Sequence, residues 1–205
     1  MMRLQRVLAL AALAACARGM QAQAGTGGDL PPAGYGTLNQ GDLNLRFGVA
    51  DLEVRFLPLD ERILRLLGPD AYASLHGLVQ ARQAALDSIA QGSGTSTPGY
   101  ALVSFFALRP DAPYDPDNLA LFIRNRFYRP VGILPFTGDF NARRLDVRQS
   151  ATAIYVFESP IPVYEEFQVV YGPRTSDGWR DVLPRIERER ARVMARAAAD
   201  TTRKP

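Results

Sequence analysis

The sequence predicts an α+β fold: an antiparallel, sandwich-like sheet with a helical insertion at about residues 59–90 and a C-terminal helix. Three observations carry this expectation. Short segments that alternate apolar and polar residues, bounded by Pro and Gly, recur between Leu52 and Gly172, as half-buried strands do. Residues 59–90 interrupt that rhythm with apolar residues three and four apart, the helical period. From Trp179 onward the period is helical again, in a run rich in Arg, Glu and Ala.

The chain opens on Arg3 and Arg6, an apolar run over residues 7–15 and then small residues, the layout of an export signal. Arg18 interrupts the run well before the roughly 20 apolar residues that cross a bilayer. Leu13-Ala14-Ala15-Cys16 resembles the lipobox of bacterial envelope lipoproteins. That resemblance implies a signal over residues 1–15, a diacylated Cys16 and a membrane held through that lipid. Ala17 stands where an aspartate would mark inner-membrane retention, so the analogy places the protein in the outer membrane, facing the periplasm. Ala22-Gln23-Ala24 instead resembles an ordinary signal-peptidase site, and cleavage after Ala24 would leave a soluble periplasmic or secreted protein. On that reading Cys16 is discarded with the signal.

Charge argues against one class of partner. The full chain has 24 Lys and Arg against 21 Asp and Glu, and loss of Arg3 and Arg6 with the signal brings it close to neutrality. Nucleic-acid binding needs a clustered basic surface that neutralises phosphates. No such cluster is visible, and Lys204 is the sole lysine. The basic excess is a preference for arginine, not a polyanion site.

Residues 16–43, with the Gly- and Pro-rich stretch "GTGGDLPPAGYGTLNQ", are expected to be a flexible linker. A domain then spans residues 44–175. Leu52, Val54 and Phe56 alternate with charged residues as a strand, closed by Pro58. Asp60 caps a short helix that ends at Gly68-Pro69, and Tyr72, Leu75, Val79, Leu86 and Ile89 form the stripe of a longer one to about Ala90. "YALVSFFAL" at residues 100–108 is apolar on both faces, as a central strand covered on both sides would be. Residues 118–128 read as one further strand stopped by Pro130, and "VGILPFTGDF", "TAIYVFES" and "EEFQVVYG" as later ones. The C-terminal segment 176–200 reads as a helix from around Asp181, which admits Pro184 in its first turn, and it offers Trp179 and Leu183 for docking on the domain, or a basic face for an anionic bilayer. Residues 201–205 are expected to be a disordered tail.

Residues 143–172, "RRLDVRQSATAIYVFESPIPVYEEFQVVYG", resemble the late strands of immunoglobulin-like domains of bacterial envelope lipoproteins. Val156, Phe157, Glu158 and Pro160 carry the likeness, while Gln149 and Ala151 stand where that pattern has turn glycines. The resemblance implies a β-sandwich with a binding or structural role and no catalytic residues.

Few residues are candidates for chemistry. His76, the single histidine, lies beside the helical stripe and reads as a boundary histidine bonded to backbone or water. One His and one Cys cannot assemble a zinc site, and "QGSGTSTPG" lacks the lysine and setting of a phosphate-binding loop. Asp111, Asp115, Asp117 and Asn118 crowd oxygen donors into one loop; calcium takes about six to eight such ligands, but Asp and Pro also build turns. Phe122, Arg124, Arg126 and Tyr128 form a candidate binding patch for a protein or glycan. Glu165 and Glu166, read as neighbours on a strand, point to opposite faces and cannot flank one glycosidic bond, unless the strand starts only at Phe167. The expected function is therefore that of an exported, lipid-anchored envelope protein with a non-catalytic binding or structural domain. The alternatives are a secreted periplasmic hydrolase or a calcium-dependent binding protein using the Asp-rich loop 111–118.

Overall fold

The structure, a computed structural model, describes residues 30–203. Cys16, both cleavage motifs and residues 204–205 lie outside the described residues. In chain order the elements are β1 (Leu45–Val49), β2 (Leu52–Pro58), α1 (Glu61–Leu64), α2 (Pro69–Gln80), α3 (Gln83–Gly92) and β3 (Gly99–Ala107). There follow β4 (Ala112–Pro113), β5 (Leu119–Ile123), β6 (Arg126–Tyr128), β7 (Pro130–Pro135), β8 (Arg144–Leu145) and β9 (Ser150–Phe157). The chain then forms β10 (Gln168–Tyr171), β11 (Arg174–Ser176) and α4 (Trp179–Arg203). This is an α+β fold with helices mid-chain and at the C-terminus, as the periodicities predict.

All strands pair antiparallel. Five make a large sheet in the order β1-β2-β3-β9-β7, four a smaller one in the order β11-β10-β5-β6, and β4 pairs with β8. The alternation of β3 explains its central place. Ala101, Val103, Phe105 and Ala107 are buried on the face toward the small sheet, where the Phe105 ring lies 5.0 Å from that of Tyr114 and 5.3 Å from that of Tyr171. Phe56 of β2 meets Phe167 at 6.1 Å, and the Tyr155 hydroxyl donates to the Pro116 carbonyl at 2.9 Å, so the polar tip of a buried ring is satisfied.

The other face of the large sheet is only partly roofed. Ile89 of α3 sits on Gly132 of β7 so closely that a Cβ there would lie 2.2 Å from its Cγ2. Away from the helices that face turns polar: Ser104 and Thr152 share a hydroxyl hydrogen bond of 2.8 Å, and Arg55 pairs with Glu53 while lying over the Phe106 ring.

Several boundaries differ from the periodicity reading. The helical segment is in three pieces, because the chain turns at Ala81 and Arg82 before α3 begins. Residues 118–128 form a hairpin, not a single strand: Arg124 and Asn125 both adopt positive φ, at 48° and 64°, the turn that reverses two strands. Pro130 begins β7 instead of ending a strand. Residues 30–43, linker-like in composition, pack as a strap. Leu43 is fully buried, Leu38 exchanges backbone hydrogen bonds with Leu66 and Gly68, and a Cβ on Gly36 would meet the Leu66 backbone at 2.3 Å.

The C-terminal helix docks on this strap and on the loop before β10. Trp179, Val182, Ile186, Glu189 and Val193 recur at helical spacing and are buried, and the Trp179 Nε1 donates to the Val163 carbonyl at 3.3 Å. Glu189 is the one charged residue in that stripe. Its carboxylate accepts from the Thr37 amide at 3.0 Å, the Thr37 hydroxyl at 2.8 Å and Arg196 at 3.0 Å. Burial pushes this carboxyl up, but those donors outweigh it and hold it below the ordinary range. The helix continues to Arg203, through residues read as part of the tail.

Candidate functional site

Where the helices leave the outer face of the large sheet, a cleft of about 590 Å³ opens between α1, α2 and the start of β3. Leu59, Leu64, Val79, Pro98, Tyr100 and Pro160 give it apolar walls. The strap closes one side: Leu30 lines the cleft, and Arg65 donates to the Pro31 carbonyl at 3.4 Å.

The polar end is assembled by two local rules. Asp60 caps α1, accepting from the Arg62 amide at 2.8 Å and gripping its guanidinium through both oxygens. The short helix then sends Ile63 and Leu64 into the core and leaves Glu61 and Arg65 on its outer side. On α2, Tyr72 and His76 lie one turn apart on one face, with ring centroids 5.2 Å apart. The two helices thus aim their polar faces at each other across Gly68-Pro69. Glu61 Oε1 lies 2.6 Å from His76 Nδ1, while Oε2 accepts from Arg65 Nε at 2.8 Å and from the Tyr72 hydroxyl at 3.1 Å.

Partial burial pushes the Glu61 carboxyl up, but hydrogen bonds from Arg65, His76 and Tyr72 prevail and hold it below its ordinary value. The Tyr72 phenol is pushed up, first by burial and then by the charge of Glu61. Burial and the Asp87 carboxylate likewise push the Tyr100 phenol up, against a hydrogen bond from Gln83. Both phenols therefore stay protonated at neutral pH. With Nδ1 engaged by Glu61, Nε2 is the His76 nitrogen left to meet a ligand.

A carboxylate that orients a histidine is part of a base, but no Ser, Thr or Cys lines the cleft among the described residues, and its Tyr100 phenol is held protonated. What the cleft presents is an apolar trough with a charged end, where Asp60 and Glu61 engage Arg62, Arg65 and His76, the mixed composition of a small-molecule site.

The residues singled out from sequence lie elsewhere. Asp115 and Asp117 both pair with Arg143, at 3.1 and 2.8 Å, and Asp111 pairs with Arg144. Asp115 also caps the 3₁₀ turn Pro116–Asn118, and the Asn118 carbonyl accepts from the Gly172 amide. These acids are spent on arginines and a turn. Among the described residues no three His, Cys, Asp or Glu side chains are placed to hold a metal ion. Phe122, Arg124, Arg126 and Tyr128 do not share one strand face either, because the turn at Arg124 and Asn125 folds the segment on itself. Phe122 pairs across the hairpin with Phe127, Arg124 ion-pairs with Glu165, and Arg126 stacks over Tyr128. Glu166 pairs separately with Arg180.

The helical stripe predicts His76 as a boundary residue bonded to backbone or water, whereas its partner is a carboxylate fifteen residues away. No period links the two positions, because the helix break at Gly68 and Pro69 sets their relation. Compared with protein-family models, with curated proteins and with solved structures, the chain matches none.

Proposed function

We infer that the chain is an exported envelope protein, held to the membrane by lipid on Cys16, whose domain binds a small amphipathic ligand without transforming it. The cleft beside Glu61, Arg65 and His76 is the observation that carries this reading. It offers apolar surface for the body of a ligand and the His76 imidazole with the Arg65 guanidinium for a polar or anionic end. The lipobox-like Leu13-Ala14-Ala15-Cys16 supports the anchor.

The test uses 1-anilinonaphthalene-8-sulfonate, an aromatic anion of matching chemistry, with Gln80→Trp to fill the cleft from an exposed position. The expected result is saturable fluorescence with one site per chain, weakened about tenfold by Gln80→Trp at unchanged thermal stability. Equal binding by both proteins would contradict the cleft. Fatty-acid labelling of the wild type and Cys16→Ser tests the anchor separately, and an unlabelled, soluble wild type would refute it.

One observation favours a second reading. The 2.6 Å contact between Glu61 and His76 could orient the imidazole to activate water, which would make the site a hydrolase. Ester hydrolysis lost in both His76→Gln and Glu61→Gln would establish it.

A further inference from the structure

The edge of the small sheet carries a different inference, far from the cleft in the strand order. Strand β6 is the last strand of β11-β10-β5-β6, so one of its sides has no neighbour. The turn at Arg124 and Asn125 fixes which groups that side presents. In a two-residue hairpin the residues flanking the turn, here Ile123 and Arg126, exchange hydrogen bonds, and the next pair, Phe122 and Phe127, does not. The Phe127 N–H and C=O therefore point away from β5, toward open space.

The side chains beside that free edge are also uncommitted. Phe127 is 61% exposed, the most exposed large apolar residue among the described ones, and it packs only partly on Phe122, at 4.8 Å between ring centroids. Arg129 is exposed and forms no ion pair among the described residues, whereas Arg124, Arg143, Arg144 and Arg180 all hold carboxylates. Phe127 and Arg129 line one groove of about 380 Å³ together with Ala120, Val170 and Gly172, and with Asp117, whose charge is taken up by Arg143. An unpaired backbone, an exposed aromatic ring and a free guanidinium two residues further on make a surface with period two.

We propose that this edge captures an extended segment of a partner protein as an added strand, with an apolar residue on Phe127 and a carboxylate two positions away on Arg129. Main-chain hydrogen bonds to Phe127 supply register, and the two side chains supply selectivity. The spacing of the ligand follows from the strand: only residues i and i+2 of an added strand face the same side. An acid shifted by one position would point to the opposite face of the sheet and miss Arg129. The bare cation favours an acidic partner by charge complementarity.

The test measures fluorescence anisotropy of a labelled peptide, Gly-Thr-Glu-Thr-Phe-Thr-Gly, on the full processed chain; its Glu precedes the Phe by two residues, the order an antiparallel added strand needs to set them on Arg129 and Phe127. The control is Gly-Thr-Thr-Glu-Phe-Thr-Gly, of identical composition. Saturable binding below about 1 mM is expected, about fivefold weaker for the control and for Arg129→Glu, and retained by Arg129→Lys. Phe127→Ser, at an exposed position, should abolish binding with an unchanged circular dichroism spectrum. Equal affinity for the two peptides, or indifference to Arg129→Glu, would overturn the proposal. So would a dimer in sedimentation that Phe127→Ser dissociates, since the edge would then serve a second copy. A neutral oligosaccharide such as chitotetraose competing for the groove would assign it to a glycan instead. Gln80→Trp, which fills the cleft, should leave peptide binding unchanged, so this proposal and the cleft reading fail independently.

Discussion

The two faces of the large sheet are built from the same strands and have different fates. On the inner face Phe56, Phe105 and Tyr155 are fully buried against the small sheet, and the polar atom of Tyr155 finds a backbone partner. On the outer face Tyr100, Leu102, Ser104 and Phe106 stay half-exposed, covered at one end by helices and open at the other. One face is closed by packing, and the other keeps a cleft where the cover ends. Stability should therefore respond mainly to the inner face, and ligand binding to the outer one.

The largest effect is expected inside. Phe105→Ala removes a ring that contacts both Tyr114 and Tyr171, and should cost about 3–5 kcal/mol in urea unfolding. A loss below about 1 kcal/mol would break the comparison, because the inner face would then not be the close-packed one.

Next comes the helix-to-sheet contact on the outer face. Gly132→Ala forces a methyl against Ile89 and should cost about 1–3 kcal/mol. Adding Ile89→Ala should restore part of that loss, giving a non-additive double-mutant cycle. Additive losses would mean that α3 does not rest on β7 as described.

A smaller effect concerns Glu189. Replacement by Gln keeps its shape but weakens the bonds to Thr37 and Arg196, and should cost about 1–2 kcal/mol. Its folded pKa lies below the ordinary 4.5, so the stabilisation is present above that value and is lost as pH falls through the folded pKa. Glu61 has the same sign. Urea midpoints should thus drop below about pH 4.5, less steeply in Glu189→Gln than in wild type. A wild-type midpoint that rises on acidification would contradict the assignment. The smallest effect is expected in the acidic loop, where Asp115→Asn disturbs an exposed pair with Arg143 and should change stability by less than about 0.5 kcal/mol, with no response to added calcium. A calcium-dependent rise in melting temperature would revive the metal reading.

The same contrast sets how much could be read from sequence. Strand β2 alternates apolar and charged residues from Leu52 to Phe56 because one of its faces is dry, β3 and β9 are largely apolar on both faces as central strands, and the α+β class follows from them. The Asp60 cap and the break at Gly68-Pro69 are local chemistry and equally legible. The strap was not, because Gly36 is small to let two backbones approach, which in a sequence looks like flexibility. The hairpin turn was hidden because Arg124 and Asn125 take the left-handed conformation without a glycine. Glu61 and His76 meet through the packing of two short helices, a tertiary fact with no sequence period. Apolar patterning places Val79 and Tyr100 on packed elements, while the cleft between those elements and its polar end needed the fold.

The most direct measurement of the central claim is a native mass spectrum of the protein purified from membranes, taken for wild type and Gln80→Trp side by side. A bound species of small-molecule mass on the wild type, absent from a Gln80→Trp variant of equal stability, is the predicted result. The same species on both proteins would contradict the claim that the outer-face cleft is the functional site, as would a ligand-free wild type that also fails to bind the anilinonaphthalene anion.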